Sequence, residues 1–238
     1  MLELSRASIG DEADWIRPFA LSTRTPNALS RHGELRVSDL MPGGFDGYAR
    51  LFHCVGMQAL GASDEALGMM HQVRRMRWRA LCEELGLPFE ASLTPGQLQR
   101  ALEGRFGASA QWPFAQHGPT EGTLQQPQLG ALVELLAASG EADERWCAYY
   151  DPSALGWVRE AELHQGPPTL VEQLARAPWN PTGASPTLWW PQSKRWCVHT
   201  DWDRWSTLIA GPREIIAKLT RHPVLDALPI AWDARLEL

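Results

Sequence analysis

The sequence predicts an α+β fold formed by a single compact domain, and two patterns carry that prediction. Apolar residues recur at helical spacing mainly in the first 140 residues, whereas strand-like segments follow mainly from 145 to 210. Helices and strands segregated in this way, without regular βαβ alternation, are typical of α+β proteins. We expect a mixed or antiparallel sheet and a C-terminal helix. With 238 residues, 44% of them hydrophobic, the chain is long enough to bury one sizeable core.

The first half combines a loop, two strands and three helices. Residues 22–33 are rich in turn formers and lack periodic apolar positions, which predicts a loop after a first short segment. Apolar and polar residues alternate in residues 35–40, and aromatic content favours a strand over a helix in residues 48–55. Helical spacing, cap residues and terminating glycines or prolines predict helices at residues 63–85, 94–102 and 127–138.

The second half changes to strand-like patterns. Residues 177–186 are dominated by Pro, Gly, Asn and Ser, which predicts a long surface loop. A last helix is expected to begin at Pro212, because the missing N–H of proline costs nothing at a first helical position, and to run through Leu219. The predicted strands comprise residues 145–150, 155–158, 187–190, 195–202 and 205–210.

Twelve tryptophans are the most unusual feature of the composition, and most of them lie in the second half. A buried indole removes roughly 150–250 Å² from water, so this set marks where the core lies. We therefore expect the tryptophans of the second half, as a group, to hold the sheet together and not to act as functional groups. Trp196 and Trp202 are both predicted to face inward.

Charge and composition argue against several partners and locations. A net charge of −6 gives no overall positive field, so we expect no nucleic acid and no membrane as partner, which leaves another protein as the candidate partner. Acidic residues interrupt the N-terminal stretch where a secretory signal would be apolar, so a cytoplasmic location is expected. The four cysteines lie far apart without a C-x-x-C pair, so we expect reduced thiols, no metal site and no cofactor.

One polar row could carry chemistry. Alternation along residues 195–202 places Cys197, His199 and Asp201 on one face of a strand. These residue types could supply a nucleophile with an adjacent base, or three metal ligands. Alternate residues of a strand are ~6–7 Å apart, so direct hydrogen bonds along the row are not expected. The favoured interpretation is a half-exposed polar face with a small thiol beneath it.

Two further positions could bind ligands. Gly211 and Arg213 lie at a strand-to-helix junction, where free backbone N–H groups could hold an anion, although Glu214 would repel it and simple capping is the alternative. Trp189 and Trp190 are adjacent on a predicted strand and face opposite sides, so one of them could be exposed. An exposed indole there could serve as a stacking platform.

The segment SPTLWWPQSKRWCVHTDWDRWSTLIAG, residues 185–211, resembles a family of uncharacterised proteins from high-GC bacteria. The shared pattern is a Trp-Pro, a few polar residues, a Trp-bearing strand, an Asp, a Ser-Thr-Leu-type strand and a Gly that opens a helix. A weaker likeness, PGGFDGYARLFH at residues 42–53, extends the resemblance over much of the chain. Ala210 departs from the family, which has a Gly there, and this weakens a tight-turn or anion-binding interpretation. The family has no assigned activity, so the resemblance implies none.

Three functional hypotheses follow. A tryptophan-rich scaffold without an ordered catalytic motif favours a non-enzymatic recognition or protein-interaction domain. The alternative is a small-molecule hydrolase or transferase that uses Cys197, His199 and Asp201. A third hypothesis is a toxin-immunity protein of the SMI1/KNR4 kind, by analogy with intracellular α+β domains that carry conspicuous tryptophans.

Overall fold

The fold is built around a large antiparallel sheet whose two faces are both covered by other parts of the chain. A computed structural model describes residues 5–7, 13–20, 35–57, 74–106, 122–141, 143–151, 160–202 and 204–236. The strands are β1 (Ser5–Ala7), β2 (Leu35–Arg36), β3 (Gly47–Phe52), β4 (Val55–Met57), β5 (Arg74–Met76), β6 (Trp146–Tyr150), β7 (Glu162–Gly166), β8 (Leu188–Pro191), β9 (Cys197–Thr200), β10 (Ser206–Gly211), β11 (Ala227–Ile230) and β12 (Arg235–Leu236). The helices are α1 (Arg17–Ala20), α2 (Val37–Leu40), α3 (Trp78–Leu85), α4 (Pro95–Phe106), α5 (Gln128–Ala137), α6 (Leu170–Ala175) and α7 (Arg213–Arg221).

The main sheet has the strand order β1-β7-β6-β8-β9-β10-β3-β11, and its neighbouring strands are antiparallel. Two small sheets, β2 with β12 and β4 with β5, lie outside it. The described chain is thus one compact fold of helices and a large antiparallel sheet, which confirms the predicted α+β class. Strands from both ends of the sequence enter the sheet, so the division into a helical and a strand half holds only in part.

One face of the sheet packs on α5, α6 and α7, and three indoles meet in that core. The ring centroids of Trp146 and Trp196 are 4.8 Å apart at 83°, and those of Trp189 and Trp196 are 5.5 Å apart at 82°. Edge-to-face contacts of this kind stabilise beyond the area they bury, by about 0.5–1.5 kcal/mol per pair. These three tryptophans have the structural role that the composition predicts.

The other face is covered by two separate groups. Residues 13–16 and 35–41 cover its middle, where Trp190 is buried. Helices α3 and α4 cover the region of Phe52, and the rings of Trp78 and Trp205 stack there with centroids 4.9 Å apart. Because both faces are covered, strand residues that point either way are buried, which explains why the central strands contain few exposed positions.

Most predicted elements appear at nearly the expected places. The strand predicted at residues 48–55 becomes β3 with the start of β4, and the helices predicted at residues 94–102 and 127–138 become α4 and α5. The strands expected at 145–150, 187–190, 195–202 and 205–210 and the final helix are also confirmed. The loop predicted at 22–33 and the strand at 155–158 lie outside the described residues.

The strand prediction for residues 35–40 is only partly right. Strand β2 ends at Arg36, and one helical turn, α2, follows it. The backbone N–H of Arg36 donates to Asp39 Oδ2 at 2.8 Å, which caps the turn. Val37 and Leu40, three residues apart, are both buried, as neighbours on one helix face are. Alternation over so few residues does not distinguish these two conformations.

The long helix predicted at residues 63–85 is wrong in its centre. Residues 58–73 lie outside the described chain, β5 is a strand paired with β4, and α3 begins only at Trp78. Arg77 is held in an extended conformation because Asp226 Oδ1 accepts hydrogen bonds from its Nε at 3.1 Å and its Nη2 at 2.5 Å. The Asp226 side chain is fully buried, so this long-range ion pair determines where the helix can start.

Several described elements carry no prediction, because they are short and lack a clear period: β1, α1, β7, α6, β11 and β12. The segment at residues 177–186 has no helix or strand, but it is less exposed than a surface loop. Asn180 is buried, and its Nδ2 donates to the carbonyls of Leu174 at 3.1 Å and Ala184 at 2.9 Å. Tyr150 Oη also donates to the Ala184 carbonyl, at 3.1 Å. Polar side chains therefore fold this segment inward onto the core.

Candidate functional site

The predicted polar row lies on and directly after β9, near the middle of the main sheet. Cys197 and His199 share the sheet face opposite the three-indole core, as alternation predicts. The row is not half-exposed, since the exposed fractions are 0% for Cys197, 1% for His199 and 4% for Asp201. Trp196 is buried as predicted, but Trp202 is 45% exposed and does not face inward. The strand ends at Thr200, so the alternation no longer fixes the direction of Trp202.

Cys197 lies in an environment that opposes a nucleophilic role. Burial raises the pKa of its thiol well above the usual range. Its cross-strand neighbour on β10 is Ala210, and both belong to the apolar cluster on this face. The thiolate is the nucleophilic form of cysteine, and burial among apolar groups disfavours that form. Packing in this apolar cluster is therefore sufficient to explain the presence of Cys197.

His199 is a buried imidazole without a complete set of hydrogen bonds among the described residues. Burial lowers its pKa to about 3, the guanidinium of Arg204 acts in the same direction, and the carboxylate of Asp151 opposes them. Its Nε2 has no hydrogen-bond partner within the described ranges. The ring is therefore uncharged near neutral pH. Burial is the largest cause of this shift, because removing the ring from water disfavours its charged form.

Buried charges lie beside His199 at the edge where β6 and β9 end. Asp151 follows β6 directly, Asp201 follows β9, and they are 1% and 4% exposed. Arg204 Nε lies 3.7 Å from Asp201 Oδ2, which is an ion pair longer than a hydrogen bond. The backbone N–H of Asp151 donates to Thr187 Oγ1 at 2.9 Å. The Asp151–Thr187 hydrogen bond therefore joins the end of β6 to the start of β8, and the Asp201–Arg204 pair lies in the segment after β9.

Trp202 follows Asp201 of this cluster, and backbone hydrogen bonds hold residues on both sides of it. The Arg204 N–H donates to the Asp201 carbonyl at 3.1 Å, and the Gly122 N–H donates to the Arg204 carbonyl at 2.9 Å. Gly122 has φ +63, and a β-carbon there would lie 2.5 Å from the Trp202 carbonyl oxygen, so only glycine permits this approach. We refer to Asp201, Trp202, Arg204 and Gly122 as the Trp202 surface. It presents an exposed indole beside residues whose backbones are hydrogen-bonded.

The remaining candidates do not join this surface. Trp189 and Trp190 are each 1% exposed because both faces of the sheet are covered, so neither offers the exposed indole that a stacking platform needs. Gly211 ends β10, and a β-carbon there would lie 3.0 Å from Trp196 Cβ, which gives the glycine a packing reason. Arg213 is exposed at the start of α7, beside the equally exposed Glu214.

Asp151, Arg204 and Gly122 belong to the site but were not singled out from the sequence. Asp151 follows a strongly apolar strand directly, and an acidic residue at that point is a signal that could have been used. Gly122 approaches Trp202 from a distant part of the chain, and no local pattern shows such a contact. Within the described ranges, no three His, Cys, Asp or Glu side chains are placed to hold a metal ion.

None of the helices in the described part of the chain combines the length and apolar character needed to cross a membrane. A comparison with protein-family models, with curated proteins and with solved structures finds no match for this chain.

Proposed function

We propose that this chain is a non-enzymatic recognition domain that binds another protein through the Trp202 surface. The exposure of Trp202 carries the proposal, since 45% of this residue is in contact with solvent in a fold that buries Trp78, Trp146, Trp189 and Trp196 almost completely. Tryptophan and arginine are enriched among the residues that dominate protein–protein affinity. An exposed indole is costly to leave in water and gains most when a partner covers it.

The hydrogen bonds and the ion pair next to Trp202 suit a role in recognition. Backbone hydrogen bonds join Arg204 to Asp201 and to Gly122, so these three residues require little additional ordering when a partner binds. Gly122 is in turn joined to the segment before β8, because its carbonyl accepts from the Ser185 N–H at 3.1 Å. Side chains of Asp201 and Arg204 are only 5% and 10% exposed, so the ion pair positions the turn and offers little charge to a partner. The expected contact is centred on the indole.

The neighbouring polar residues support recognition over hydrolysis. The buried thiol of Cys197 has a raised pKa, and the ring of His199 has a pKa of about 3, so neither matches a nucleophile or a general base that works near neutral pH. A general base is most effective when its pKa lies near the working pH. These two shifts come first from burial, which a structural interior explains.

Affinity capture with matched variants tests the proposal. Trp232 is the control, because it is 43% exposed, but its Nε1 donates to the Met41 carbonyl at 3.1 Å near the opposite end of the sheet. We expect the wild type and the Trp232→Ala variant to capture the same protein from cells of the source organism, and Trp202→Ala to lose it. Hydroxyl-radical footprinting of the reconstituted complex should then protect Trp202 selectively. Equal capture by both variants would contradict the proposal.

A further inference from the structure

A groove between α5 and α7 is a second surface feature, separate from the Trp202 surface. Its volume is about 510 Å³. Sites for small molecules typically have volumes of about 300–1,000 Å³, so the groove is large enough for one. It is lined by residues of both helices and by the two residues that follow α7: Ala131, Glu134, Leu135, Ala138, Ala217, Lys218, Arg221, His222 and Pro223.

The floor of the groove is apolar and has room above it. Leu135 and Ala131 are partly buried and pack against the core beneath α5. Ala138 and Ala217 complete the apolar lining from the end of α5 and from α7. Their methyl groups are short, so the space between the helices remains open instead of being filled by larger side chains. An alkyl chain laid on this floor would remove apolar surface from water on both partners.

The wall formed by α7 carries positive charge. Lys218 and Arg221 are exposed and three residues apart, which places them on neighbouring positions of one helix face. Within the described part of the chain, no carboxylate oxygen lies within 4.0 Å of their side-chain nitrogens. Glu134 provides one negative charge on the α5 side. Two cations and one carboxylate leave an excess of one positive charge, which a single anionic group would balance.

His222 adds a polar group of defined orientation at the end of the groove. Its Nδ1 accepts a hydrogen bond from the Val224 N–H at 3.2 Å. Because Nδ1 is the acceptor, the ring proton resides on Nε2, which remains as a donor. The dipole of α7 by itself favours cations in its last turn. The dipole does not explain why an open apolar floor lies beside Lys218 and Arg221.

We propose that the α5–α7 groove binds a small amphipathic monocarboxylate. The carboxylate pairs with Arg221 and Lys218, because a planar guanidinium matches the geometry of two carboxylate oxygens. The alkyl chain lies on Leu135 and the alanines of the floor. No bond is formed or broken in this step. The site is independent of the Trp202 surface, so either proposal can fail without the other.

Isothermal titration calorimetry with octanoate tests the proposal, with butyrate and octylammonium as comparison ligands. We expect octanoate to bind with a Kd below about 1 mM, butyrate at least tenfold more weakly, and octylammonium not measurably. Methyl NMR signals of Leu135 should shift on addition of octanoate. No octanoate binding at concentrations of about 10 mM, or equal binding of octylammonium, would overturn the assignment.

A matched pair of variants locates the site. Arg221→Gln and Arg213→Gln each remove one exposed guanidinium from α7, but only Arg221 lines the groove. We expect Arg221→Gln to weaken octanoate binding by about tenfold and Arg213→Gln by less than about twofold. Equal effects of the two variants would show a general charge effect and would contradict the site. Octanoate affinity in Trp202→Ala should equal that of the wild type.

Discussion

The buried ring of His199 predicts a specific pH dependence of stability. Unfolded chains bind a proton on histidine with a pKa of about 6.5, whereas the folded protein holds the pKa of His199 at about 3. The folded-state pKa is therefore lowered. Above about pH 6.5 the ring is uncharged in both states, so it does not lower the stability of the fold. As the pH falls from 6.5 towards 3, stability decreases, because the unfolded chain binds a proton that the folded protein does not.

The magnitude follows from the two pKa values. At pH 5 the unfolded ring is almost fully protonated and the folded ring is not, so folding loses about 2 kcal/mol relative to pH 7.5 from this residue alone. Replacing His199 with asparagine removes the titrating group. The variant should be less stable overall, yet its stability should fall less between the two pH values than that of the wild type.

Urea unfolding of each protein at both pH values measures this difference. Leu208→Ala is the control, because Leu208 pairs with His199 across β10 and β9 and its loss destabilises the core without removing a titrating group. Wild type and Leu208→Ala should share one pH dependence, and His199→Asn should be flatter by about 2 kcal/mol. If all three proteins show the same pH dependence, His199 accepts a proton in the folded state as readily as in the unfolded chain, and burial does not lower its pKa.

Other residues give predictions that are simpler to test. Trp196→Ala should cost about 3–5 kcal/mol in urea unfolding because it empties the three-indole core, whereas Trp202→Ala should change stability by less than about 0.5 kcal/mol. Cys197 should resist iodoacetamide at pH 8 until the protein unfolds, and labelling at the rate of a free thiol would contradict its raised pKa. Arg77→Ala should destabilise by about 2–4 kcal/mol because Asp226 is left buried with a weaker partner, and an unchanged unfolding midpoint would rule this out.

Local patterns predict the elements whose ends are determined locally. Helix α4 begins where Thr94 and Gln97 cap each other, with the Gln97 N–H donating to Thr94 Oγ1 at 3.1 Å and the Thr94 N–H donating to Gln97 Oε1 at 2.7 Å. Strand β6 is also predictable from its own residues, which are uniformly buried and aromatic or apolar. The start of α3 follows instead from Asp226, which is far away in the sequence.

The candidate site was predictable in part. Alternation correctly places Cys197 and His199 on one face, because it depends only on the strand. Their burial could not be predicted, because it depends on which distant segments cover that face. Trp202 lies two residues beyond the end of β9, so alternation does not determine its direction, and Gly122 approaches its backbone closely. Alternation extended through residue 202 therefore predicts an inward position for a tryptophan that lies beyond the end of the strand.

Binding of a protein partner through Trp202 can be measured directly. The most direct test is the Kd of the purified partner for the wild type, Trp202→Ala and Trp232→Ala. We predict that Trp202→Ala weakens binding by about 30-fold or more, the effect of losing a central aromatic anchor worth about 2 kcal/mol, and that Trp232→Ala changes the Kd by less than about threefold. Equal affinities of the wild type and Trp202→Ala would contradict the claim.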